Sequence, residues 1–248
     1  MHFFGHFWVL FRSFSVLTAL LFSLLQFSLK ATQGEIEVAG VISTTSTPGI
    51  YNVQFPLTVT GFYQITGSYA GSLAFIDEVT VSPGPVMPTQ SSFTSNSPGH
   101  TGASAGEKAS IYIQGRDTGG NPIAFADDYE VTIEGTARRR DSFVYECVKD
   151  TTSDYAQQAA LHGISVYTYT ITQSGTFSLY VRINGTLMAG SPSALTVSPT
   201  PAVLAGASLQ GPTSALVGEQ LSYTLALEDQ YGNPVSGADT VSAILVGT

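Results

Sequence analysis

Apolar and polar side chains alternate through most of this chain. In Ser110-Ile-Tyr-Ile-Gln114, Ile111 and Ile113 share one face. Tyr129, Val131 and Ile133 do the same in a second run, and Phe177, Leu179, Val181 and Ile183 in a third. Leu221, Tyr223, Leu225 and Leu227 repeat the pattern once more. A period of two in β-branched and aromatic residues predicts half-buried strands. No comparable helical period follows the apolar N-terminus, and Ala156 to Leu161 has room for one short turn only. The connectors are as explicit as the strands. Asn184-Gly185 predicts a two-residue hairpin whose residues both need positive φ. Gly120-Asn121-Pro122 and Gly232-Asn233-Pro234 supply one permissive and one rigid turn residue each. Ser191-Pro192 predicts a last strand that lies on an edge or starts late.

The pattern is itself repeated. Gly106-Glu107, Asp117, Gly120-Asn121-Pro122 and Gly135 recur as Gly218-Glu219, Asp229, Gly232-Asn233-Pro234 and Gly247, each 112 positions on (218 − 106, 229 − 117). Gly49-Ile50, Phe55, Gly61, Tyr63 and Ile65 recur as Gly163-Ile164, Tyr169, Gly175, Phe177 and Leu179, 114 positions on (163 − 49). A period this long is a whole domain. It predicts a partial copy over 34–84 (its C-terminal half), a complete copy over 85–199 and a second partial copy over 200–248 (its N-terminal half). Only the middle copy is then expected to close as a sandwich. Proline-bearing segments at Ser82–Thr89 and Ser198–Pro201 predict short, semi-rigid joints.

Composition narrows the class. Only 11% of the 248 residues are charged, while Gly, Ser, Thr and Tyr are abundant, as in turn-rich all-β proteins. A net charge of −9 argues against nucleic acid or an anionic lipid surface as partner, because phosphate needs a basic face. Cys147 is the only cysteine, so no intrachain disulfide holds the fold. Residues 1–31 read as a signal peptide or signal anchor: an apolar run from Phe3 to Leu29 with Arg12 on its cytoplasmic side. Membrane contact is expected through this segment alone. A processed or anchored leader places the repeats outside the cell. A spurious start would instead leave them cytoplasmic.

Seven short strands in about 115 residues, with turns every 8 to 15, indicate an immunoglobulin-like β-sandwich. The order of motifs in the middle copy resembles the filamin-type immunoglobulin repeat. Ala105-Gly106-Glu107, Asp117-x-x-Gly-Asn-Pro122, Gly163-Ile164 through Tyr169, Gly175 through Val181 and Gly190-Ser191-Pro192 through Val197 stand in that family's sequence. Ser193 departs from it, standing where the family carries Phe, as does the long segment from Lys149 to His162. The resemblance implies protein partners that add a strand beside the third and fourth strands. Here the candidate edge is Tyr129, Val131 and Ile133 with Phe143, Tyr145 and Cys147. The competing expectation is that the Lys149–His162 segment covers this edge. The resemblance does not extend to an actin-binding region, so actin binding by this chain is not supported.

No enzyme, cofactor or metal chemistry is expected. His2, His6, His100 and His162 lack metal-ligand spacing, and no nucleophile elbow, zinc-helix motif or phosphate loop occurs. Asp117, Asp127, Asp128, Asp229 and Asp239 are expected to cap turns rather than hold calcium. Arg138-Arg139-Arg140 reads as a solvated loop. Asn184-Gly185-Thr186 is a glycosylation sequon as well as a turn, relevant on the secretory side. The leading expectation is a non-enzymatic structural or adhesion module of tandem repeats. An intracellular, actin-associated cytoskeletal scaffold fragment and an accessory module of a larger secreted protein remain alternatives.

Overall fold

The computed structural model describes residues 9–10, 27–123, 129–136 and 142–236. The chain divides into two compact units, Met1–Gly84 and Pro85–Thr248. Strands are the main regular element of both among the described residues.

The first unit contains β1 (Val9–Leu10), β2 (Phe27–Gln33), β3 (Ile36–Ala39), β4 (Val41–Thr44), β5 (Ile50–Gln54), β6 (Gly61–Tyr69) and β7 (Ser72–Val81). They form a three-stranded sheet, β1-β5-β4, and a four-stranded sheet, β3-β2-β6-β7. Alternation decides which side chains go inside: Tyr63 and Ile65 of β6 are buried with Leu29 and Ala31 of β2. Phe55, Leu57, Phe75, Val79 and Val81 pack against Ala31, Tyr63 and Ile65.

The segment read as a leader thus runs into the sheet. β2 straddles residue 31 and lies between β3 and β6, paired with both. β1, from the middle of the same segment, pairs with β5. The first unit therefore carries two sheets as well. Strands on the N-terminal side of residue 34 contribute to both of them. The physical reason is visible in Phe27-Ser-Leu-Lys-Ala-Thr-Gln33. It alternates with period two, and an apolar run that long masks the alternation at its end.

The second unit opens with β8 (Ser92–Phe93), β9 (Gly102–Ser104), β10 (Lys108–Gln114), β11 (Glu130–Thr136), β12 (Ser142–Glu146) and β13 (Val148–Lys149). After them come helix α1 (Asp154–Ala160), β14 (Ile164–Thr170), β15 (Gly175–Ile183), β16 (Thr186–Leu187), β17 (Ser193–Ser198), β18 (Ser208–Gln210) and β19 (Thr224–Ala226). One sheet runs β13-β14-β10-β8, the other β12-β11-β15-β17-β9 with β16 on β15. Their inner faces share one core, with Ile111, Ile113, Tyr167 and Tyr169 from the first and Val131, Ile133, Phe177, Leu179, Val181, Ile183, Leu195 and Val197 from the second. The Tyr167 hydroxyl donates to the Tyr129 carbonyl and accepts from the Tyr129 amide, which ties the two sheets together. Ser193, at the family's Phe position, contributes a hydroxyl bonded to the His100 carbonyl, and Leu195 and Val197 fill the core beside it. The last strand starts late, at Ser193, and is bonded on both sides.

Among the described residues after Pro199, β18 and β19 form the one two-stranded sheet, Glu228 and Pro234 form an isolated bridge, and Tyr223 and Leu225 remain exposed. Their alternation finds no second sheet there to bury against.

Candidate interaction edge

β12 ends its sheet. Its register on β11 pairs Thr132 with Glu146, Ile133 with Tyr145 and Gly135 with Phe143. The Cys147 amide donates to the Val131 carbonyl at 2.9 Å. Antiparallel ladders alternate, so Phe143, Tyr145 and Cys147 turn their backbone groups toward β11. Ser142, Val144 and Glu146 turn theirs away from it. Side chains follow the same alternation. Tyr145 and Cys147 are half-buried against the core, whereas Val144 and Val148 are 65% and 64% exposed. The Phe143 side chain lies outside the described residues, as do Asp127, Asp128, Asp239 and Arg138 to Arg140.

The other half of the candidate edge is placed differently. Val131 and Ile133 lie in β11, which is hydrogen-bonded to β12 on one side and β15 on the other, so it offers no free backbone. Tyr129, Val131 and Ile133 are all buried in the core. Sequence reasoning grouped two neighbouring strands. Among the described residues, only the outer one, β12 with its exposed Val144, is left as an edge.

The Lys149–His162 segment does not lie along this edge. After Cys147 the chain crosses to the other sheet as β13, and α1 then packs on β14. Ser153 caps the helix by accepting from the Ala156 amide at 3.1 Å. Ala156 and Ala159 bury against Val166, with Tyr112 and Ile164 beside them. Asp150 accepts from the Thr152 and Ser153 amides just before the helix. Its carboxyl is held below the ordinary aspartate value, by the Ser153 backbone bond first.

Burial pushes the Cys147 thiol up to about 12. This thiol is therefore protonated and a poor nucleophile at neutral pH. Asn184 and Gly185 form the β15–β16 turn with φ of +50° and +75°, and the sequon stands exposed at its tip. The His100 ring stacks on Phe93 at 5.1 Å, and no group of three His, Cys, Asp or Glu side chains is placed to hold a metal among the described residues. Nor is any helix among the described residues long and apolar enough to cross a membrane.

Asp117 and Asp229 occupy equivalent turns. Asp117 Oδ1 accepts from the Gly119 and Asn121 amides, and Asp229 Oδ1 accepts from the Tyr231 and Asn233 amides. Both carboxylates are engaged by N–H donors.

The Escherichia coli adhesin FdeC superposes on this architecture with a TM-score of 0.51 at 23% identity, over 80% of this chain and 60% of that one. The fold is an immunoglobulin-like β-sandwich. Two other immunoglobulin-like structures match more loosely. The filamin domain of Lin-41 gives a TM-score of 0.33 at 18% identity, over 47% of this chain and 97% of that one. Invasin, a bacterial integrin-binding protein, gives 0.44 at 15%, over 86% of this chain and 41% of that one. This chain spans less than two thirds of the adhesin's length. No family model matches it, and no curated protein matches it. At these identities the immunoglobulin-like fold is what is shared, and a fold hosts many functions.

Proposed function

We propose that this chain is a non-enzymatic adhesion and interaction module of tandem, filamin-type immunoglobulin-like repeats on the secretory side, binding protein partners by strand addition along β12. The observation that carries this reading is the composition of that edge. Outward-directed backbone at Ser142, Val144 and Glu146 lies beside the exposed side chain of Val144. An added strand draws affinity from backbone bonds and selectivity from alternate side chains. An unpaired edge that is short and carries one charge, Glu146, is weakly protected against such pairing. The adhesin FdeC, which shares the fold, is the analogue for adhesion. The net charge of −9 turns the module away from nucleic acid.

The test is to pan a random peptide library on the whole chain and on Val144→Lys. Val144 points its backbone outward, so lysine there leaves the β11 ladder intact. The reading expects extended peptides rich in β-branched residues that bind the native chain. They should protect the Val144 and Glu146 amides from hydrogen exchange, and lose affinity at least about tenfold on the variant. Peptides that bind both chains equally, or protect amides elsewhere, would overturn it.

A further inference from the structure

The Asp229-Gln-Tyr-Gly-Asn-Pro234 turn does more than cap itself. Its Asn233 side chain reaches residues that precede Pro199. Asn233 Nδ2 donates to the Thr172 carbonyl at 2.8 Å, and Asn233 Oδ1 accepts from the Ser174 amide at 2.8 Å. One carboxamide thus satisfies a carbonyl and an amide of the loop between β14 and β15. Asp229 Oδ2 accepts from the Thr200 amide at 3.0 Å, with the Thr200 hydroxyl 3.3 Å away. Thr200 lies between Pro199 and Pro201 in the joint. Tyr231 completes the contact: a Cβ on Gly106 would collide with its ring and hydroxyl. Gly106 has φ of +76°, a conformation that also favours glycine.

The parts are buried where it matters. Asp229 is 2% exposed and Asn233 4%. Burial alone would raise the Asp229 pKa, but bonds from the Asn233 side chain and from the Asn233, Thr200 and Tyr231 amides outweigh it and hold the carboxyl at about 2. The side chain is therefore a permanent anion at the joint.

We propose that the Asp-x-x-Gly-Asn-Pro turn is the plug of an inter-repeat lock. Its socket is the end of the preceding sandwich: Gly106, the Thr172–Ser174 backbone and the linker amide of Thr200. The partner this surface fits is the opening turn of a following repeat of the same kind. This rests on the tandem-repeat reading. Asn233 reads the preceding repeat's backbone rather than its side chains, so the socket tolerates sequence change at positions 172 to 174. Asp229 fixes the linker, and Tyr231 fixes the approach over Gly106. The joint is a rigid one, set by hydrogen bonds to two separate points.

Residue-resolved hydrogen exchange on the full chain tests the lock, because the reporting amides belong to one side of the joint and their acceptors to the other. In the native chain the Ser174 and Thr200 amides should be protected. Asn233→Ala should speed Ser174 exchange at least tenfold and leave Leu179 and Val181 unchanged. Tyr231→Ala keeps the Asp229 turn intact and should speed both Ser174 and Thr200, with β18 and β19 still protected. Ser174 exchanging at the native rate in both variants would overturn the lock. Should Asn233→Ala also release β18 and β19, the Tyr231→Ala result decides the question. If β18 and β19 are unprotected in the native chain, the tandem-repeat reading fails, which is a different outcome from a folded third copy with a free Ser174 amide.

Discussion

Cys147 shows how one position in a strand governs chemistry. Its backbone bonds to Val131 and its side chain faces the core, so the thiol is desolvated and its pKa rises to about 12. The thiolate is the reactive form. Maleimide labelling at pH 8 should therefore run on the order of a hundredfold slower in the folded chain than in urea. Equal rates would mean that the Ser142–Lys149 segment opens readily. Three positions away, Val144 has the opposite environment because a strand turns alternate residues to opposite faces. The sequence made this alternation legible, and it placed Tyr145 and Cys147 together on one face. It could not show that β11 is bonded on both sides. That depends on where β15 lies, a partner some fifty residues along the chain.

At the scale of elements, strands with branched or aromatic side chains were easy to read, and α1 was not. Ala156 and Ala159 are the buried face of that helix, and alanine adds little to a hydrophobic period. Its start signal was present: Ser153 accepts from the Ala156 amide, and Asp154 follows in the first turn. Ser153→Ala should cost about 1 kcal/mol of local stability. Faster amide exchange in Asp154–Ala160 would register it, with β15 unaffected. Unchanged helix exchange would mean that packing on β14 alone holds the helix. The hairpin at Asn184-Gly185 was legible for the opposite reason, since its chemistry is local and needs no distant partner.

At the scale of the whole molecule, the fold class followed from strand spacing and repeat length, whereas the first unit's extent did not. Phe3 to Leu29 reads as one apolar run, although β2 starts inside it, buries Leu29 and carries on to Ala31, which shares a core with Tyr63 and Ile65. A chain starting at residue 34 should therefore lose the cooperative unfolding of the first unit and keep that of the second. A chain starting at Phe27 should retain both. Calorimetry of the two truncations would separate these outcomes, and an intact first-unit transition in the shorter chain would show that β2 is dispensable.

The β9–β17 pair carries a consequence of another kind. These strands stand near the two ends of the middle sandwich, and they run parallel, with Gly102 to Ser104 set against Thr196 to Ser198. Tension applied through the chain on either side pulls the two strands past each other along their length. Their hydrogen bonds then lie across the load and must break together, whereas an antiparallel hairpin pulled at its open end gives way one bond at a time. The sandwich is thus joined where a tether under strain would need it to hold.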